Sequence, residues 1–492
     1  MIQFFNTLSG KLDSFDKESS AKVGIYTCGP TVYDYAHIGN FRAFVFEDLL
    51  RRFLEFSGYK VNHVMNLTDV DDKTIAGAKQ AVGAGLVPAL FGRPQGAPLQ
   101  EFTAKYIEAF NEDLKTLNCL PPTKQPRATQ KIKQMQELIQ KLIDKDMAYE
   151  NGGSVYYRVS KFKEYGKLSK KKLEMNIVGA SERVDSDEYE SKEQVTDFVL
   201  WKGAKKGEAE LGAAWDSPWG KGRPGWHIEC SAMSMEELGE QFDIHAGGED
   251  LIFPHHENEI AQSEGATGKD PFVKYWLHCK FLLVDGKKMS KRDGNFYTLR
   301  DLIAKGYDPM AIRYALLSTH YRTPLNFTLE GLKEAGEVIK KMDDCYWQCM
   351  SRAVLGEDPK DVLEDETVLG RVLKEIEKCL ASDLNVSASF AILLEGITAI
   401  NFSLLRMNGK QIQRALHLLK GVDHLFGFDV TAVQSVHPAI VEKLNKLQSF
   451  RKEKNYTAAD QLRAELKSEG WLVKDGKPGE PSTVKKRRRS WD

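Results

Sequence analysis

VGIYTCGPTVYDYAHIGNFRAFVFEDLLRRFLEFSGYKVNHVMNL, residues 23–67, is the stretch on which the fold turns. Val23 to Cys28 is a short run of β-forming residues that Gly29-Pro30 stops. A polar loop follows. From Phe41 to Phe56 apolar residues recur at helical spacing, with Phe46, Leu49, Leu50, Phe53 and Leu54 on one face, and Gly58 is placed to end the helix. Val61 to Leu67 is again strand-like. Strand, helix and strand in this compass predict a βαβ unit and therefore a parallel sheet.

Outward from that unit the chain is long, and its segments differ in character. Its 492 residues, 42% of them hydrophobic, exceed what one small core needs and predict two to four domains. Residues 77–100 are rich in Gly, Ala and Pro and suggest a mobile surface insertion. A helix from about Phe102 to Leu117 is closed by Pro121-Pro122. The expected division is 1–120, first half of an α/β domain; 121–224, an inserted polar, lysine-rich region; 225–285, its second half; 286–327, a basic loop and the segment after it; 328–430, a helical bundle; and 437–492, a small basic module.

Charge and cysteine usage exclude several function classes. With 69 Lys+Arg against 70 Asp+Glu the chain is not a general nucleic-acid sponge. From Val441 to Asp492 there is a local excess of six positive charges, ending in Lys485-Lys486-Arg487-Arg488-Arg489. That run reads as a solvated tail, or as a local phosphate contact. Seven scattered cysteines and no export signal at MIQFFNTLSGKLDSF argue against a disulfide framework. Ala391 to Leu405, the most apolar run, is broken by Glu395 and Asn401 and predicts a buried helix rather than a membrane span. A cytoplasmic enzyme that stays off the membrane is the expectation, with a monomer as the default.

Two stretches carry phosphate chemistry. His37-Ile38-Gly39-Asn40 stands between a strand end and a helix start, where unpaired N–H groups and the positive end of the dipole suit phosphate. Lys288-Met289-Ser290-Lys291-Arg292, after Val284-Asp285-Gly286, is a basic loop able to close over a triphosphate. Each alone is a weak signal. No Gly-Lys pair is followed by Ser or Thr, so a Walker-type phosphate loop is absent from the sequence.

Together the two stretches resemble the paired signatures of class I aminoacyl-tRNA synthetases. Thr27-Cys28-Gly29-Pro30-Thr31-Val32-Tyr33-Asp34, Asp69-Val70-Asp71-Asp72-Lys73, Gly225-Trp226-His227-Ile228-Glu229-Cys230-Ser231 and Phe253-Pro254-His255-His256-Glu257-Asn258-Glu259 are similar to the cysteinyl-tRNA synthetase family over about residues 1–477. The resemblance implies a Rossmann-like parallel sheet with an inserted connective domain, then a helical bundle and an anticodon-binding module. It implies activation of L-cysteine with ATP and Mg2+, then transfer to the 2′-OH of the terminal adenosine of tRNA(Cys). Thr31, His37, Gly39, Asn40, Lys288 and Lys291 would hold ATP, with His37, Asn40, Lys288 and Lys291 stabilising the phosphoryl charge. Arg292 stands where the family commonly has Ser, with both lysines retained.

Cys28, Cys230, a histidine and Glu259 make a reasonable zinc set. His255 and His256 are both within a helical turn of Glu259, and spacing does not choose between them; the resemblance favours His255. Core thiols and a polar helix face are the competing explanation. A zinc has a physical reason to be here. Cysteine and serine are near-isosteres that shape separates by only roughly 1–3 kcal/mol, whereas a thiolate is a far better zinc ligand than a hydroxyl. Four protein ligands leave no open position unless one is labile, and Glu259, the only carboxylate, is the expected labile one.

The resemblance adds Thr68, Trp226, His245 and Asp250 as cysteine contacts. Asp250, just after Gly247-Gly248 at a probable strand end, suits an ammonium group, and Trp226 could equally be plain core. In the last module Arg451, Asp460 and Asp475 fall where the family reads the anticodon, and Tyr456 keeps an aromatic face where the family often has Trp. Two rival readings are a cysteine ligase of the mycothiol type, which would lack the last module, and a non-catalytic RNA-binding relative, which the intact His37, Lys288 and Lys291 oppose.

Overall fold

The computed structural model describes residues 1–15, 17, 21–85, 97–171, 191–355, 368–433, 435–474 and 483–486. The backbone packs as two compact units. One comprises Met1–Lys115, Leu120–Leu282 and Tyr321–Pro324; the other comprises Thr116–Cys119, Leu283–His320 and Leu325–Asp492.

In the first unit β1 (Gln3–Asn6) and β2 (Lys11–Ser14) form a hairpin, followed by β3 (Lys22–Thr27), α1 (Ile38–Phe56) and β4 (Lys60–Met65). Helices α2 (Asp72–Gly83), α3 (Pro98–Thr116) and α4 (Ile132–Asp144) come next. Strands β5 (Ala148–Asn151), β6 (Ser154–Tyr157), β7 (Phe198–Gly203) and β8 (Gly222–Pro224) make an antiparallel sheet in that order. Then α5 (Trp226–Leu238), β9 (Phe242–Gly248), α6 (Glu257–Thr267) and β10 (Val273–Cys279) return to a four-stranded parallel sheet of order β10-β9-β3-β4. The chain leaves β3 toward β4 on one side and later toward β9 on the other. The crevice at the carboxyl ends of β3 and β9 is thus a topological switch point, where open α/β sheets bind ligands.

Two sequence readings need correction. Helix α1 starts three residues before Phe41, and it is wrapped rather than amphipathic: Arg42, Glu47, Asp48 and Arg52 are buried along with its apolar positions. Arg52 Nε meets Asp48 Oδ2 at 2.7 Å, and the other Asp48 oxygen accepts the Leu120 N–H at 2.7 Å, which is how a helix with these charges can lie inside. Residues 77–83 belong to α2, with Ala78 and Ala81 buried, and Pro98–Gln100 open α3; of the expected insertion, 86–96 lie outside the described residues. The region read as inserted stands in sequence between β4 and β9 of the parallel sheet, forms its own antiparallel sheet, and shares the core of the first unit. Trp201, Phe198 and Tyr157 share one apolar core with Tyr26, Val64 and Trp276 of the parallel sheet.

That packing is reinforced by charge. Asp72, in the first turn of α2, receives Arg223 Nη2 of β8 at 2.5 Å and Lys202 Nζ of β7 at 2.9 Å. Asp69 accepts the Thr129 N–H and hydroxyl at 2.9 and 2.7 Å, and Asp71 caps α2. The acidic string after β4 therefore does structural work at each carboxylate.

The second unit opens with a small sheet of order β12-β11-β13, from β11 (Leu282–Val284), β12 (Lys287–Lys288) and β13 (Leu325–Phe327). Helices α7 (Leu299–Ala304), α8 (Pro309–Leu317), α9 (Leu329–Leu355), α10 (Val368–Ala381), α11 (Val386–Ser403) and α12 (Gly409–Phe426) make the bundle. Buried Arg313 of α8 donates to the Phe426 carbonyl at 2.6 Å and the Leu117 carbonyl at 2.9 Å. Val386–Arg406 is long and apolar enough to cross a membrane by length and composition, which exceeds the sequence expectation; Val386, Phe390, Leu393, Ile397 and Ile400 of it are buried against protein. Helices α13 (Pro438–Lys452) and α14 (Tyr456–Ser468) precede a hairpin of β14 (Trp471–Lys474) and β15 (Thr483–Lys486). The basic tail is therefore partly strand. Lys485 lies in β15 with its Nζ 2.8 Å from Asp343, while 487–492 lie outside the described residues.

Candidate metal centre and nucleotide-binding turn

The switch-point crevice gathers donors from distant stretches of chain. Cys28 follows β3, Cys230 sits in α5, and Glu259 sits in the first turn of α6. His255 was expected on one helix with Glu259. It lies in the helical turn that runs directly into α6, after a kink at which Phe253 is extended (φ −141°, ψ 130°), and faces Glu259 four residues on. Cys28, Cys230, His255 and Glu259 are all buried, and their donor atoms lie within 4.8 Å of one another. The two sulfurs are 3.7 Å apart, Cys28 Sγ is 3.8 Å from Glu259 Oε1, and His255 Nε2 is 3.2 Å from the same oxygen. A tetrahedral ion with sulfurs at about 2.3 Å would hold two of them about 3.8 Å apart, so the donor set fits zinc.

A second set shares two members. Cys28, His245, His256 and Glu259 also lie within 4.8 Å of one another. Cys28 Sγ is 3.4 Å from His256 Nε2, and His245 Nε2 is 3.1 Å from Glu259 Oε2. Neighbours hold each ring. His255 stacks on Trp226 at 4.2 Å between centroids and shares a contact of 3.0 Å between its Nδ1 and that of His227. His245 stacks on Trp276 at 4.6 Å, and His256 Nδ1 meets His278 Nε2 at 2.8 Å.

Burial sets the electrostatics. It pushes the Cys28 thiol well up and the Cys230 thiol up, raises the Glu259 carboxyl, and holds His255 and His256 well below the ordinary histidine value. Burial thus shifts each of these groups toward its neutral form. A divalent cation held among them would oppose that shift for the thiols and the carboxyl, and neutral imidazole is the ligating form.

The turn before α1 has its own order. His37 is the N-cap: its Nδ1 accepts the Asn40 N–H at 3.2 Å, and Asn40 Oδ1 accepts the His37 N–H at 3.1 Å. Accepting at Nδ1 places the proton of a neutral ring on Nε2, and using the amide oxygen leaves Asn40 its NH2 as donor. Gly29 lets this loop lie against the strand beside it, since a Cβ there would meet the Asn66 carbonyl oxygen at 1.7 Å.

Residues 14–337 match the family of tRNA synthetases class I (C) catalytic domain. Cysteine–tRNA ligase from Chlamydia muridarum is 46% identical over 96% of this chain and 98% of its own length, and that from Brachyspira hyodysenteriae is 44% identical over 97% and 98%. The chain belongs to the cysteine–tRNA ligase family. Among solved structures, the fold is similar to a LeuRS–tRNA–LeuAMS ternary complex from Agrobacterium radiobacter K84 (TM-score 0.60, 10% identity, 87% of both chains). It is also similar to Mycobacterium tuberculosis methionyl-tRNA synthetase with methionyl-adenylate (TM-score 0.57, 14% identity, 89% of this chain and 96% of that one). The architecture is that of a class I synthetase: a Rossmann-like parallel sheet followed by helical regions.

The other residues that the family resemblance singles out fall as follows. Thr68 is buried beyond β4, its N–H donating to the Pro30 carbonyl at 3.2 Å, and Thr31 bridges to it backbone to backbone. Trp226 opens α5, half-buried. Asp250 is exposed in the turn after β9, close over Gly248. In the second unit Lys288 ends β12, which pairs antiparallel with β11 across Asp285-Gly286. Both turn residues have positive φ (50° and 75°), as a tight hairpin of this kind requires. Ser290 N–H donates to Asn295 Oδ1 at 2.8 Å, and Lys291 Nζ lies 5.1 Å from the Phe296 ring centroid. Arg451, near the end of α13, interacts electrostatically with Asp460 and Tyr456 of α14; Tyr456 is 64% exposed. Asp475 lies outside the described residues.

Sequence reasoning gave no role to Asn66, His227, Glu229, His278 or Arg463. His227 and Glu229 stand inside a string quoted for the resemblance, so the signal was present. Asn66 was read only as part of a strand. Arg463, which interacts electrostatically with Arg451, has no local mark in the sequence.

Proposed function

We propose that this chain is a cytoplasmic, monomeric cysteine–tRNA ligase. It activates L-cysteine with ATP and Mg2+, then transfers the cysteinyl group to the 3′-terminal adenosine of tRNA(Cys), with zinc selecting the thiol. The observation that carries this reading is the buried set Cys28, Cys230, His255 and Glu259, drawn from three distant segments to within 4.8 Å. Zinc bound there supplies a soft Lewis acid that favours a thiolate over a hydroxyl.

The chain's own residues do the rest. Asp250 offers a carboxylate to the substrate ammonium, with Thr68, Trp226 and His245 around the amino acid. A substrate carboxylate oxygen bonds to the α-phosphorus of ATP as the bond to the bridging oxygen breaks, giving cysteinyl-adenylate and pyrophosphate. His37 through Nε2–H and Asn40 through its NH2 donate to phosphate oxygens, Thr31 and Gly39 line the same turn, and Lys288 and Lys291 offset the charge that develops on the departing phosphates. In the last module Arg451, Tyr456, Asp460 and Asp475 offer hydrogen bonds and a stacking face to unpaired bases.

The test is ATP–pyrophosphate exchange with each of the twenty amino acids, with zinc measured on the same sample. Exchange with cysteine alone and about one zinc per chain is expected. Exchange with another amino acid, or a zinc-free protein that still prefers cysteine over serine, would overturn the reading.

A further inference from the structure

Glu229 precedes Cys230 in α5 and is fully buried. The Thr68 hydroxyl donates to its Oε2 at 3.0 Å, while Asn66 Nδ2 donates to Thr68 Oγ1 at 3.3 Å. Asn66 faces the metal side as well: its Oδ1 accepts the Gly29 N–H at 3.1 Å and lies 3.7 Å from Cys230 Sγ. The Thr68 backbone is clamped to the turn after β3, donating to the Pro30 carbonyl at 3.2 Å and accepting from the Val32 N–H at 3.1 Å. Thr68 and Asn66 are themselves 2% and 1% exposed. A hydroxyl has one hydrogen and two lone pairs. At Thr68 the hydrogen goes to Glu229 and one lone pair to Asn66, so what Oγ1 can still offer is one accepting lone pair.

We propose that Glu229 is a positioning residue for amino-acid selection, which by holding the Thr68 hydroxyl hydrogen inward presents an accepting oxygen to the substrate's ammonium group. The selected class is a thiol that carries a protonated amine, as against a thiol without one. This extends the proposed function and rests on its reading of Thr68 as a cysteine contact. The metal cage recognises sulfur and is indifferent to the amine; the Glu229–Thr68 pair recognises the amine and is indifferent to sulfur. Selection of an α-amino thiol needs both.

The experiment compares wild type, Glu229→Gln and Glu229→Ala as full-length enzymes. It measures zinc content, KM and kcat for L-cysteine in pyrophosphate exchange, and inhibition by 3-mercaptopropionate, a thiol acid without an amine. In Glu229→Ala the cysteine KM is expected to rise roughly tenfold or more, the scale of one hydrogen bond to a charged group. Zinc content, kcat and the inhibition constant of 3-mercaptopropionate are expected to stay near wild type. Glu229→Gln keeps an accepting oxygen and should restore the cysteine KM to within a few-fold. Equal weakening of cysteine and 3-mercaptopropionate, loss of zinc, an unchanged cysteine KM, or a Gln variant as impaired as Ala would each overturn the positioning role. A wild-type enzyme with no cysteine-dependent exchange would instead remove the proposed function itself, so the two failures are distinguishable.

Discussion

The Nδ1 of His37 accepts the Asn40 N–H at 3.2 Å while the Asn40 side-chain oxygen accepts the His37 N–H at 3.1 Å, so the two residues close a reciprocal pair over the start of α1. Residues read as phosphate ligands are thus also the helix cap. Asn40→Asp separates the two duties. A carboxylate still caps and suits a helix N-terminus, so thermal stability should stay within about 0.5 kcal/mol of wild type. The same charge repels phosphate, and the KM for ATP should rise roughly tenfold. A melting curve and a pyrophosphate-exchange titration check the two halves, and an unchanged ATP KM would contradict the phosphate role.

Lys291→Ala should lose roughly 10²–10³ in the rate of cysteine activation, the scale of one preorganised electrostatic donor. The Lys291 side chain projects from an exposed turn over Phe296, so the fold should tolerate the change. Exchange within a few-fold of wild type would refute its part in offsetting phosphate charge.

The proposed zinc site predicts graded metal loss. Cys230→Ser should lose zinc and cysteine binding together. His227→Ala removes the partner 3.0 Å from His255 Nδ1 and should weaken zinc affinity roughly 10–100-fold while leaving the far-ultraviolet spectrum unchanged. Chelator competition measures both. Full zinc occupancy in Cys230→Ser would contradict the ligand assignment.

His63 gives a pH signature away from the metal. Burial, with a smaller contribution from Arg51, lowers its pKa from 6.5 to about 3, and its Nε2 lies 2.9 Å from Thr27 Oγ1. Between pH 6.5 and 3 the unfolded chain binds a proton that the folded chain does not, so stability rises with pH through that window. The contribution is complete above 6.5 and is lost progressively on acidification, by about 2 kcal/mol at pH 5. His63→Gln should flatten the stability-versus-pH curve between pH 6 and 4 in denaturant titrations. An unaltered slope would show that other groups carry it.

Much of this was legible because the relevant residues are local. The β3–α1–β4 unit follows from apolar spacing in residues 23–67. What escaped the sequence depends on contacts made across the fold. The charges of α1 look solvent-facing in sequence: the Asp48–Arg52 pair has the spacing of an ordinary surface i,i+4 pair, and nothing local shows that the Leu120 N–H will take up the other Asp48 oxygen. The kink just before His255 escaped because its extended Phe253 has no distinguishing residue type beyond the following proline. Asn66 and Glu229 escaped because their partners are Cys230, Gly29 and Thr68, which only the folded sheet brings near.

The two cations that Asp72 receives, from β7 and β8, also bear on how far the enzyme can be trimmed. Excising the lobe between α4 and α5 to obtain a minimal synthetase would strip that carboxylate of Arg223 and Lys202 and remove Tyr157, Phe198 and Trp201 from the core they share with the parallel sheet. A shortened version would need the acidic string after β4 redesigned together with the excision, so the lobe is a structural organ of the catalytic unit and not a detachable accessory.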